Sequence, residues 1–290
     1  MQSRTCAQSA AQTCAPGPVG VLDSGLGGLS VLRALAQALP MEDFLYCADC
    51  GNAPWGDKTQ EFIISRAEAI CSFLLAHKAK AIVLACNTAT AVAADVLREH
   101  LSVPVIGIEP AVKPAAASSK RKAIGVLATT RTIESARYES LIARFAAGVK
   151  VVSVAAPGLM ECVEAGDFTG EKPRRLLEAY LAPMQKAGID KLVLGCTHYP
   201  FLSPLLTDML GPDVELVDPG PAVAAVTKTR LSAIGELRSA LPAAAGETVL
   251  PAGTNPAPGR VRFFIKDARR HTAVLKRLWP QAEEVDELGV

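Results

Sequence analysis

The sequence contains no run of about 18 apolar residues, which argues against a membrane-spanning helix. It also has almost no net charge. Thirty Lys and Arg face 29 Asp and Glu, leaving +1. That balance gives no electrostatic footprint for nucleic acid, and the short basic run Lys120-Arg121-Lys122 reads as a solvated turn. The start, Met1 to Pro18, lacks the apolar stretch of a secretory signal and reads as a disordered extension before the first strand. Eight cysteines in 290 residues are too few for a disulfide scaffold. Without an export signal they read as reduced thiols of a cytoplasmic protein.

Half of the residues are hydrophobic, ample for two cores of ordinary size. Short apolar runs alternate with helical patterns, which predicts an α/β fold with mainly parallel sheets. Strands are expected at Val19–Leu22, Phe44–Cys47, Ala81–Ala85 and Val103–Ile108. A second set is expected at Ile124–Ala128, Val151–Ala155, Lys191–Gly195 and Leu216–Pro219, and a late strand at Val261–Ile265. Val19-Gly-Val-Leu-Asp23 is mirrored by Ile124-Gly-Val-Leu-Ala128, 105 residues on from Gly20 to Gly125. Ala81-Ile-Val-Leu-Ala85 is mirrored by Lys191-Leu-Val-Leu-Gly195, and the cysteines that follow, Cys86 and Cys196, lie 110 residues apart. Two similar offsets in the same order predict a duplicated unit. The expected division is a first domain of residues 19–108 plus 219–280 and a second of 109–218, with 281–290 a frayed tail. Residues 241–260, rich in Pro, Ala and Gly, read as a loop.

The paired thiols carry the chemistry. In open α/β sheets ligands bind at the carboxyl ends of strands, and both cysteines follow buried strands. Helix N-termini beside them could lower a thiol pKa and suit a carboxylate. One such cysteine would read as core, but two at equivalent strand ends reverse the odds. Neither has the CxxC companions of a structural zinc site. Two thiols facing one substrate could instead remove an α-proton from one face and return a proton to the other. The loop Asp23-Ser-Gly-Leu-Gly-Gly28 permits close backbone approach to a ligand, but its spacing departs from the dinucleotide fingerprint.

These residues resemble the glutamate racemase family across Val19 to Asp218. The matching segments are Leu22-Asp-Ser-Gly-Leu-Gly-Gly-Leu29, Pro54-Trp-Gly56, Ala85-Cys-Asn-Thr-Ala-Thr90 and Leu194-Gly-Cys-Thr-His-Tyr-Pro200. The resemblance implies two pseudo-symmetric Rossmann-like domains facing a central cleft. It also implies no cofactor and no metal, a homodimer, and D-glutamate supply for peptidoglycan. Carried over by position, Cys86 and Cys196 are the acid/base pair. Asp23, Ser24, Trp55, Gly56, Asn87, Thr88, Thr197 and His198 are substrate-site residues. Trp55 replaces the family's Tyr, losing a hydroxyl but keeping one N–H donor. His198 is expected to assist Cys196. Glu164 matches a family acidic position, although its surroundings read equally well as a helix end capped at Gly166. The CxxC at Cys47 and Cys50 has no second pair for zinc. His77, His100 and His271 read as surface residues. An aspartate racemase, a related two-cysteine isomerase and a non-catalytic two-lobed binding protein remain alternatives.

Overall fold

In a computed structural model, residues 17–238 and 259–290 are described. Apart from Gly17, Pro18, Gly259 and Arg260, the expected N-terminal extension and Pro-rich loop lie outside those residues. Ten described strands form two sheets. They are β1 (Val19–Asp23), β2 (Phe44–Ala48), β3 (Ala81–Leu84), β4 (Val105–Gly107) and β5 (Ala123–Ala128). The chain continues through β6 (Lys150–Ala155), β7 (Lys191–Gly195), β8 (Glu215–Val217), β9 (Val261–Ile265) and β10 (Val285–Glu287). The first sheet has the order β10-β9-β2-β1-β3-β4 and the second β6-β5-β7-β8. Every pairing is parallel. Parallel strands need covered faces, and β1, β2, β3, β5 and β7 are buried throughout.

The order β2-β1-β3-β4 reappears as β6-β5-β7-β8, which is the duplication read from the two offsets. β1 and β5 are the counterparts, as are β3 and β7. The glycine shared by β1 and β5 has one physical job in both halves. A Cβ on Gly20 would meet Leu74 and Ile82 side chains at 3.0 Å, and one on Gly125 would meet Met184 Sδ at 2.8 Å. Each glycine lets a covering helix, Gln60–Ala76 or Glu171–Lys186, lie close against the strand.

The first sheet is extended on the β2 side by β9 and β10, which come from the far end of the chain. The helix Gly220–Ala233 packs on the helix Leu29–Ala38, with Val223, Ala224 and Leu231 joining the same core as Leu32 and Leu35. The end of the chain departs from expectation. Residues 285–287 are a strand paired with β9, and Leu288 is fully buried. Glu287 fixes this end by accepting hydrogen bonds from the Asp267 and Ala268 backbone N–H groups at 2.8 and 2.9 Å. A single carboxylate satisfying the first turn of a helix leaves no amphipathic pattern in the sequence, so the segment reads as a tail.

No helix among the described residues is long and apolar enough to cross a membrane.

Candidate active site

Cys86 and Cys196 each lie directly beyond the carboxyl end of a central strand, β3 or β7, and both line one cavity between the two sheets. Cys86 is the N-cap of the helix Asn87–His100, its Sγ accepting from the Ala89 backbone N–H at 3.4 Å. Its thiol lies 3.5 Å from Ser24 Oγ. That helix-terminal N–H pulls the thiol pKa down, but burial outweighs it. Burial pushes it up to about 12, and the nearby Asp23 charge adds to the rise. Asp23 itself ends β1 with no exposed surface. Its Oδ2 accepts from Gly28 N–H at 2.7 Å, and its Oδ1 has no partner. Burial raises Asp23 to about 6, against the pull of the His198 charge.

The Cys196 side is built differently. His198 Nδ1 stands 3.6 Å from Cys196 Sγ, and Nε2 is 2.7 Å from Glu164 Oε1. Burial alone would lower the His198 pKa. Hydrogen bonds to Cys196 and Glu164 outweigh it and hold the imidazole well above its usual value. Burial likewise works against the Glu164 charge, but the His198 bond and cation keep its carboxyl below the usual range. Gly27 N–H also approaches Nε2, at 3.2 Å. One ring nitrogen cannot both donate to Glu164 and accept from Gly27. The shorter Glu164 contact and the stabilised imidazolium favour donation.

The glycine loop has a purpose beyond the one read from the sequence. A Cβ on Gly27 would lie 2.6 Å from His198 Cγ, and one on Gly25 would fall on the Glu164 carboxyl. These glycines admit the imidazole–carboxylate pair, which belongs to the half built on the second sheet, into the loop after β1 of the first. Leu26 N–H donates to Glu164 at 2.6 Å, and Ser30 Oγ donates to the Thr197 carbonyl at 2.9 Å, across the same junction. Glu164 closes the helix Leu159–Glu164, and Gly166 adopts positive φ, 75°, just past it. The helix end read at Gly166 is therefore present, and the same helix carries Glu164 to His198.

Ser24, Trp55, Gly56, Asn87, Thr88, Thr197 and His198 line the cavity with the two thiols, and Asp23 packs behind the glycine loop. Both side-chain polar atoms of Asn87 are buried without a partner. A buried amide left unpaired costs about 1–3 kcal/mol per group, so this one is suited to a polar ligand that supplies both a donor and an acceptor. Trp55 is the exception among these residues. Its indole N–H is spent on Asp49 Oδ2 at 3.1 Å, and Asp49 is also held by Arg66 at 2.7 Å. The donor that replaces the family hydroxyl is therefore structural.

Two residues are additions to the sequence reading. Thr129, at the end of β5, bonds Thr88 Oγ1 across the cleft at 3.1 Å. The signal for it was present, since the 105-residue offset carries Ser24 onto Thr129. His271 is corrected from a surface residue to a half-buried one. Its side chain is 15% exposed, with Nδ1 3.7 Å from Glu164 Oε2. Helical charge patterning could not show that Glu164 would arrive from a helix more than 100 residues earlier in the sequence. The six described cysteines are free and buried; Cys6 and Cys14 lie outside the described residues.

Two equivalent thiols, one on each half of a duplicated parallel α/β frame and both opening on one cavity, define the class of two-lobed racemases. Comparison with known proteins identifies the family. The Asp/Glu/Hydantoin racemase family matches residues 19–227, and the chain belongs to it. The glutamate racemase of Pseudomonas paraeruginosa is 51% identical over 275 residues, 94% of this chain and 98% of the relative. That of Pseudomonas putida is 48% identical over the same shares of each chain. Among solved structures, a glutamate racemase isoform of Bacillus anthracis superposes with a TM-score of 0.81 at 32% identity, covering 94% of this chain and 98% of that one. The Escherichia coli glutamate racemase, solved with L-glutamate and an activator, gives 0.77 at 31% identity over 94% and 98%.

Proposed function

We propose that this chain is a cofactor-independent glutamate racemase of the cytoplasm that supplies D-glutamate for peptidoglycan and works as a homodimer. The observation that carries the activity is the opening of Cys86 and Cys196 on one cavity from equivalent strand ends. The relatives at about half identity over nearly the whole chain bear the name glutamate racemase, which favours glutamate over aspartate.

In this reading one sulfur takes the α-proton while the opposite thiol delivers a proton to the other face, and the roles exchange for the other enantiomer. The two sides prepare their sulfurs differently. Beside Cys196, His198 can take or return the thiol proton, and Glu164 stabilises the resulting imidazolium. Beside Cys86 the charge is negative, so an ionised Cys86 needs a cation. The substrate ammonium supplies one when it enters the cavity beside Cys86, drawn by the Asp23 charge buried behind the glycine loop. Asn87, Thr88 and Thr197 bind the carboxylates with neutral donors. Placement of the reacting groups and a dry, preorganised cleft supply the rate acceleration.

The test is incubation of the purified enzyme with L- and D-glutamate in deuterated water, with aspartate alongside. Initial product from either glutamate enantiomer gains solvent deuterium at Cα, and aspartate turns over far more slowly. Product that keeps its original α-hydrogen would contradict the two-thiol scheme. Preferred turnover of aspartate would contradict the substrate.

A further inference from the structure

Behind His198, on the side away from Cys196, three potential metal-ligating side chains converge outside the substrate cavity. Cys50 opens a single 3-10 turn after β2, His271 lies in the helix Ala268–Leu278, and Glu164 closes a helix of the other domain. Their ligand atoms all lie within 4.8 Å of one another. Glu164 Oε1 is committed to Leu26 N–H and His198, but Oε2 is buried and accepts no hydrogen bond. His271 Nδ1 faces Oε2 at 3.7 Å, too far for a hydrogen bond. Thiolate, imidazole and carboxylate form a donor set suited to zinc, with three protein ligands and one position left for water. Tetrahedral bonds of about 2.0–2.3 Å place ligand atoms about 3.5 Å apart. The cluster therefore needs to close by about 1 Å, within reach of side-chain rotation at Cys50 and His271.

We infer that Cys50, Glu164 and His271 form an inhibitory site for a thiophilic divalent cation, zinc being the best fit. Binding forms sulfur–metal, nitrogen–metal and oxygen–metal bonds. The Cys50 thiol proton leaves to solvent, and no oxidation state changes. A thiol must deprotonate to bind the ion, so zinc uptake releases a proton and strengthens as pH rises. The ion has two effects on the racemase, and these rest on the function proposed above. It ties Glu164 of one domain to Cys50 and His271 of the other, hindering cleft opening. It also places positive charge beside the His198 imidazolium and draws on the carboxylate that stabilises it, which weakens the proton relay at Cys196.

The test uses the full-length enzyme, stripped with chelator, then dialysed against Zn2+ or titrated with Co2+. The wild type is expected to retain one zinc per chain and to show thiolate-to-cobalt charge-transfer absorption. Cys50→Ser and His271→Gln should each weaken retention by roughly tenfold or more, and Cys50→Ser should abolish the absorption. Cys86→Ser and Cys196→Ser should keep both signals. Racemisation by the wild type should fall with zinc occupancy, while Cys50→Ser turns over normally and resists zinc. Absence of the cobalt absorption, or its loss only in the Cys86 or Cys196 variant, would overturn the site. Zinc held through Cys50 without inhibition of an active racemase would overturn the inhibitory role. The metal readouts stand even if the chain racemises nothing.

Discussion

Replacing Asp23 by Asn should make the protein more stable and less active. Asp23 has no exposed surface and one unpartnered oxygen, and burial raises its pKa from 3.8 to about 6. The folded state therefore binds this proton more tightly than the unfolded chain does. Below about pH 4 both states are protonated and the site costs nothing extra. As pH rises from about 4 to above 6, the unfolded carboxyl ionises first and stability falls. A shift of about two pH units corresponds to about 3 kcal/mol once both states are ionised. Asn retains the shape and the acceptor for Gly28 N–H but cannot ionise. Asp23→Asn should therefore gain about 1–3 kcal/mol at pH 8, and the gain should vanish near pH 4. Racemisation should drop sharply, because the buried charge that draws the substrate ammonium toward Cys86 is gone. Urea unfolding at the two pH values, with turnover measured at pH 8, checks both arms. A destabilised variant at pH 8, or a stability difference independent of pH, would refute the reasoning.

Glu164→Gln exchanges a charge-assisted hydrogen bond to His198 for a neutral one, a loss of about 1–2 kcal/mol. kcat/KM should fall about five- to thirtyfold, equally in both directions because the enantiomers have equal free energy; unequal losses in the two directions would show that the assay is not reading one reversible reaction. The His198–Glu164 pair stabilises the fold fully between the ordinary carboxylate and imidazole pKa values, and its contribution is lost as pH rises through the raised His198 pKa. The stability deficit of Glu164→Gln should thus be largest near pH 5–6 and shrink in alkali, as thermal unfolding across pH can show. Gly27→Ala drives a methyl into the His198 ring; overpacking of about 1–3 kcal/mol should displace the imidazole and cut turnover, with near-normal activity counting against the close approach. Trp55→Phe removes a bond to Asp49 and should cost about 1 kcal/mol of stability while leaving KM for glutamate within about twofold, since that N–H does not face the substrate.

The strand ends that carry Cys86 and Cys196 were legible because a short apolar run followed by small polar residues is a local pattern. So was the duplication, whose Gly20 and Gly125 answer the same packing need. What was hidden is what depends on distant convergence. Glu164 reaches Leu26 across 138 residues of sequence and His198 across 34. No periodicity encodes those meetings, so the glycine loop read as a ligand-approach loop while its tightest contacts are with His198 and Glu164. Trp55 kept a donor in the sequence reading, but only Asp49 and Arg66 reveal that the donor is already used. Cys86 does receive the helix-terminal Ala89 N–H that its place before a helix predicts, but the larger opposing effect, burial beside Asp23, leaves no local mark in the sequence.

The division of labour between the two sulfurs is tested most directly by elimination from a glutamate analogue bearing a leaving group on Cβ, because that partial reaction needs α-proton removal from one face only. Cys86→Ser and Cys196→Ser should each lose racemisation, yet each should still eliminate from one enantiomer of the analogue, and the two preferences should be opposite. If both variants favour the same enantiomer, or if either racemises glutamate at close to the wild-type rate, the claim of one thiol per face is wrong.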